Sequence, residues 1–208
     1  MPAHRSLTLA LVLAASLARA DAPEPLGFEL DGSLRVRFET LDETFRSTVD
    51  RSDHLLVERL LVHGRLVAGP LTLGLEVADS RAMLHDDATP LGTDDVNALE
   101  PQQIYLALQR TDVLRKGDRL DVRAGRMTID AGSRRLVARN RYRNTINGFS
   151  GLHADWRGAL GDRVQAFAVL PHRRQPSDRD GLEDDEIEFD PADFDRRLRR
   201  VRFVGEIL

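Results

Sequence analysis

The chain has 208 residues, 41% of them apolar and 31% charged, with a net charge of −4. That length suits one domain or two, and the acidic balance excludes a nucleic-acid binder that relies on bulk positive charge. With no cysteine, a disulfide framework, a thiolate metal site and a Cys-linked lipid anchor are excluded as well. Of the 30 basic residues only Lys116 is lysine.

In chain order, "MPAHRSLTLALVLAASLARA" comes first. It has a basic start at His4 and Arg5, an apolar run from Leu7 to Leu17, and the small-x-small signal Ala18-Arg19-Ala20. This reads as a signal peptide over residues 1–20, cleaved near Ala20, with a mature start near Asp21. The apolar run is too short for a spanning helix. No later segment resembles a transmembrane helix, so a membrane span would have to be made of strands.

Period-two alternation dominates the rest. In "SLRVRFET", Leu34, Val36 and Phe38 alternate with Arg35, Arg37 and Glu39. After a polar stretch from Arg46 to Asp53, "LLVERLLVHGRLVA" places Leu60, Val62 and Leu66 opposite Arg59, His63 and Arg65. Gly69-Pro70 marks a turn, and "LTLGLEVADS" returns with Leu71, Leu73, Leu75 and Val77 on one face. A long loop is expected from Arg81 to Pro101. "QQIYLALQR" and "RLDVRAGRM" then form strands joined at Lys116-Gly117-Asp118. "GLHADW" and "RVQAFAVL" form a further hairpin, and residues 171–197 read as a polar surface loop with the acidic run "EDDEIEFD". "LRRVRFVGEIL" begins a last strand.

Seven or eight strands, joined alternately by short turns and long loops, predict an all-β, antiparallel up-and-down barrel. Alternation alone does not say which face is inside. A soluble periplasmic β-barrel that binds anionic glycans has the same pattern as a membrane barrel with its charges inward. Aromatic residues, at 5%, would make thin interfacial girdles.

One stretch departs from the rest. "SRRLVARNRYRN", residues 133–144, holds five arginines, and neither Asp nor Glu occurs between Ala131 and Ala154. Around it, Gly125-Arg126 is followed by Gly132-Ser133-Arg134-Arg135-Leu136, then Arg143-Asn144-Thr145, then Phe149-Ser150-Gly151. In that order these motifs resemble the central signature of the alginate export porin family. Met127 and Ser150 depart from it, standing where Gln and Asp are common. The Gly69-Pro70 hairpin and "LEVADSR" resemble the family's early strands, and the likeness covers most of residues 30–170.

The resemblance implies an outer-membrane β-barrel of a Gram-negative bacterium whose cationic lumen passes an anionic polysaccharide such as alginate. Arg35, Arg37, Arg59, Arg65, Arg123 and Arg126 are then expected at lumen-facing strand positions. Arg134, Arg135, Arg139, Arg141 and Arg143 are expected on a loop or its strand ends. Rings of arginine are a usual means of selecting anions in pores. The partners implied are outer-membrane lipid, an anionic polysaccharide or small anionic solute, and periplasmic export machinery, with no nucleic acid.

No catalysis, metal or cofactor is expected. "GFSG" lacks a residue of the Gly-x-Ser-x-Gly elbow, and the six histidines form no His-x-x-x-His pair. "DRDGLEDDE" evokes a calcium loop, but its glycine comes too early, and a solvated acidic run is the preferred reading. A wide aqueous barrel needs about 16–18 strands. Residues 21–208 are therefore expected to be the N-terminal part of a larger barrel.

Overall fold

The computed structural model describes residues 26–41, 53–86, 89–135 and 137–204. The expected signal peptide and its cleavage site lie outside the described residues, as do Leu136 and the end of the last predicted strand. Eight strands follow in order: β1 (Gly27–Leu41), β2 (Asp53–Ala68), β3 (Leu71–Met83), β4 (Asn97–Thr111), β5 (Arg119–Met127), β6 (Phe149–Arg157), β7 (Arg163–Pro171) and β8 (Leu198–Val204). Each pairs antiparallel with the next, in the order β1 through β8. β1 and β8 do not pair with each other, so the described residues form an open wall rather than a closed cylinder.

The alternation seen in the sequence becomes two chemically opposite faces. Leu34 is 62% exposed, Leu73 50% and Leu106 52%, whereas Arg59 is 8% exposed and Glu76 4%. The outer face is thus a continuous apolar surface made by Phe28, Leu30, Val36, Leu60, Leu75, Ile104 and Leu152. A soluble barrel would hide these side chains in a dry interior. Here they point away from the enclosed side, as lipid contact requires. The enclosed side carries the charges. A cavity of ≈ 1530 Å³ is lined by residues from β1 to β7, which requires the sheet to curl around it.

At about 3.4 Å per residue and a tilt near 45°, roughly ten residues cross the apolar band. β1 to β4 have 13–16 residues and so continue beyond it. This explains why the connection expected over Arg81–Pro101 is shorter than predicted. β3 runs on past Ser80 to Met83, and β4 starts at Asn97, leaving a loop of 84–96. Two register shifts near Ala78 and Ser80 interrupt the β3–β4 ladder before the strand ends. There Leu55, Val57, Ala82 and Val96 form an apolar cluster closed by Leu182.

Leu182 belongs to a short helix, α1 (Arg179–Glu183), inside the segment expected to be a polar surface loop. Asp178 caps it by accepting the Gly181 N–H at 3.0 Å. The acidic run is not simply solvated: Asp190 and Asp193 are buried, and Asp185 accepts the Ala82 N–H at 3.1 Å. Its carboxylates tie the segment to the strand ends, a tertiary use that composition cannot reveal.

The other connections, at Gly69-Pro70, 112–118 and 158–162, are tight turns at the opposite end. In the second, Asp118 is fully buried and accepts N–H groups from Val113, Leu114 and Arg115 and the Trp156 Nε1–H. Burial opposes its ionisation, but those four donors outweigh it and hold the carboxyl at about 2.

Candidate functional site

The arginine-rich segment, residues 128–148, folds back along the enclosed face. Its apolar residues Ile129, Ala131 and Val137 pack on Tyr105, Met127, Phe149, Phe167 and Val169, the inward side chains of β4 to β7. That packing anchors one side of the loop. The other side is fixed by charge.

Arg35 and Arg59 stand opposite each other in register on β1 and β2. Two like charges so placed repel, yet no carboxylate bonds to either among the described residues. The loop backbone takes that role. Arg35 donates to the carbonyls of Arg141 at 3.0 Å, Tyr142 at 3.2 Å and Arg143 at 2.6 Å. Arg59 donates to the carbonyls of Arg141 at 3.2 Å and Arg143 at 2.9 Å. Arg37, ion-paired with Glu39, also donates to the Tyr142 carbonyl at 3.1 Å. Carbonyl dipoles screen the two guanidiniums without cancelling their charge.

Asn144 completes the attachment. Its side-chain amide donates to the carbonyls of Glu58 at 2.9 Å, Asp95 at 2.7 Å and Arg81 at 3.3 Å. Its own carbonyl accepts from Ser80 Oγ at 2.9 Å. Thr145 Oγ1 donates to the Thr93 carbonyl at 2.8 Å and receives Arg174 Nη1 at 2.8 Å. Asp94 binds both Arg143 and Arg174, each at 2.5 Å. The Arg143-Asn144-Thr145 motif is therefore a latch between loop and wall.

The remaining predicted cations fall into two groups. Arg139 pairs with Glu76 at 2.7 Å, Arg123 with Asp121 at 2.7 Å, Arg65 with Glu29, and Arg126 with Glu100. Arg123 also lies 5.2 Å from the Tyr105 ring centroid. Arg134 is exposed and 3.7 Å from Asp130. Arg135 and Arg141 are exposed and have no partner for their guanidiniums among the described residues. The wall and the loop are thus brought together, but most of the eleven predicted arginines bind protein groups.

A second row escaped the sequence reading. Arg119, Arg157 and Arg163 lie opposite one another in register across β5, β6 and β7, at the turn end of the cavity. Asp155 binds two of them, Arg157 at 3.0 Å and Arg163 at 2.7 Å. Arg119 has no partner among the described residues. Each flanks a turn, so hairpin register rather than sequence proximity joins them. Overall the cavity is lined by eight arginines against five carboxylates.

At the loop end, Asp190 accepts from Asn97 Nδ2 and from the Gln175 N–H at 2.8 Å, close to Arg126. Burial pushes its carboxyl up to about 6 against the pull of those donors. Ser150 Oγ lies 2.7 Å from His172 Nε2, but the Nδ1 of that ring is buried without a partner, so no acid orients it. Burial and nearby Arg126 lower His172 to about 4, which keeps the ring neutral. Among the described residues no group of three or more His, Asp or Glu could hold a metal ion.

No curated protein and no solved structure matches the chain. A family model described as alginate export matches residues 28–198, which takes in β1 to β7, the inward loop and the start of β8. That match spans most of the chain, and the chain belongs to the alginate export family of outer-membrane porins.

Proposed function

We propose that this chain forms part of the wall of an outer-membrane channel that passes an acidic polysaccharide or oligosaccharide of the alginate type. The observation that carries the reading is the orientation of the sheet. Leucines and valines are exposed on one face, and a cavity with an excess of arginine lies on the other side. A polyuronate bears one carboxylate per sugar, and an excess of fixed cations lowers its entry barrier. Coulomb attraction at 4 Å is only about 1 kcal/mol in water and several-fold larger in a narrow, poorly hydrated pore. Because most guanidiniums are tied to protein groups, each contact with a passing chain is weak, which a transported solute needs in order to leave. The open edges of β1 and β8 must find strand partners in the bilayer, since unpaired backbone groups there cost several kcal/mol each.

Planar-bilayer recording of the full-length protein tests this. Anion-over-cation selectivity and block by an oligouronate are expected. A cation-selective or non-conducting protein, extracted without detergent, would overturn the reading.

A further inference from the structure

Two of the tight turns form one braced unit. In residues 112–118 the backbone is gathered by Asp118 and by Asp112, which accepts the Gly117 N–H at 2.6 Å. Trp156 Nε1 donates to Asp118 at 2.9 Å and so ties in the strand that leads to residues 158–162. A Cβ on Gly117 would stand 3.2 Å from that of Ala159, so the two turns are in contact. This unit displays apolar side chains: Leu114 is 73% exposed and Leu160 83%, with the exposed Val113 next to Leu114. None of the three lines the cavity. Arg115 and Lys116 follow in the first turn, both exposed and without a side-chain partner among the described residues. Lys116 is the one lysine in the sequence. Leucines left in water on a turn that its carboxylates already hold do nothing for the fold.

The level of these turns points to what covers them. β5, β6 and β7 have nine residues each. Tilted near 45° they rise about 22 Å, short of an apolar band of about 25 Å. Turns that close such short strands lie at the bilayer boundary rather than clear of it. Trp156 marks the same level. It stands four residues beyond the outward Leu152 and shares its face, and tryptophan collects where membrane meets water. A protein partner fits less well. Three exposed apolar side chains offer roughly a few hundred Å², against about 800 Å² per partner in a stable interface. Short turns of such barrels face the periplasm, so the leaflet at hand is phospholipid. A lysine lays its methylenes along apolar matter and carries its ammonium up to a phosphate. Resting on the reading of the sheet as bilayer-spanning, we propose that residues 112–118 and 158–162 form a lipid anchor. Leu114 and Leu160 enter the boundary between headgroups and acyl chains, and Arg115 and Lys116 bind the phosphates of anionic phospholipid.

The test uses the full-length protein folded into vesicles of phosphatidylcholine and phosphatidylglycerol. A nitroxide on Leu160→Cys reports depth through its collisions with oxygen, which concentrates in lipid, and with a water-soluble nickel chelate. A nitroxide on Leu73→Cys reports the outer face in the same way. The label at 160 is expected at headgroup depth, favouring oxygen over the chelate, and the label at 73 deep in hydrocarbon. Arg115→Gln combined with Lys116→Gln should lower the protein's preference for spin-labelled phosphatidylglycerol over spin-labelled phosphatidylcholine, by up to about fivefold for each charge removed. Normal heat-modifiable gel mobility would show that each of these exposed-residue variants has folded. If the label at 160 meets the chelate freely while that at 73 lies in hydrocarbon, the anchor is wrong and the spanning sheet stands. If the label at 160 is shielded from both reagents, protein rather than lipid covers the turns, and the anchor is again wrong. An unchanged lipid preference in the double variant would remove the phosphate contacts and overturn the proposal. If the label at 73 also reads water, the spanning sheet and the anchor fall together.

Discussion

Replacing Asn144 with alanine should release the inward loop. The side chain is 1% exposed, and its amide serves three backbone carbonyls from β2, β3 and the 84–96 loop. Two N–H groups cannot make three full bonds, so the contacts at 2.7 and 2.9 Å count fully and the one at 3.3 Å is shared. Two lost hydrogen bonds cost about 1 kcal/mol each, and the stranded carbonyls add roughly another 1 kcal/mol in total. A loss near 3 kcal/mol raises the open population of the latch by on the order of a hundredfold. The amides of residues 144 and 145 both donate to the Asp94 carbonyl at 3.1 Å and report that opening directly. Hydrogen exchange of the full-length protein in micelles should therefore speed up at those two amides by about two orders of magnitude. Asn144→Asp keeps the shape but replaces the donor with an acceptor facing three carbonyls, so it should be at least as disruptive. Unchanged exchange at 144 and 145 in both variants would refute the latch.

Two further outcomes follow from the faces of the sheet and from its buried acid. Leu73→Arg places a charge on the outer face, where it costs about 2–4 kcal/mol at the bilayer midplane. On a soluble barrel the same exposed site would tolerate it within about 0.5 kcal/mol. Failure to reach a heat-modifiable folded form supports lipid contact, and normal assembly would refute it. Asp190, held up at about 6, favours its protonated form in the folded segment. The packing of 172–197 should therefore be strongest below the ordinary carboxylate range and weaken as pH rises through about 6, by on the order of 2–3 kcal/mol. Limited proteolysis at pH 4.5 and 7.5 should show this, and Asp190→Asn should remove the difference. The same pH dependence in that variant would assign it to another group.

The strands were readable because one rule governs them. Residues 119–124 alternate without interruption, and β5 carries them on to Met127. Where a bulge or a tertiary partner intervenes, the rule fails. Ala82 and Asn97 look like loop residues because they are small or polar, yet they continue β3 and β4 with buried side chains that a covering segment explains. The acidic segment near Asp190 reads as solvated because its partners, Asn97 and Glu100, lie some ninety residues away. Arg119, Arg157 and Arg163 become neighbours only through hairpin register.

The arginine-rich loop was readable as a cluster but not as a mechanism. A run of cations suggests guanidiniums aimed at a solute, yet the loop gives the wall mainly its carbonyls, while the wall supplies the arginines that hold them. This accounts for the absence of Asp and Glu from 131–154. A carboxylate anywhere near Arg141 would capture Arg35 or Arg59, because a charge-assisted ion pair outcompetes a bond to a neutral carbonyl. The backbone of 141–143 would then lose its support, and two uncancelled charges beside the cavity would be neutralised. The acid-free stretch from 131 through the end of the loop thus keeps both the geometry and the field of the lumen. Placing a single acid in it, as in Asn140→Asp, should cost anion selectivity even where the fold persists, and bilayer recordings of that variant with an unchanged chloride preference would contradict the account.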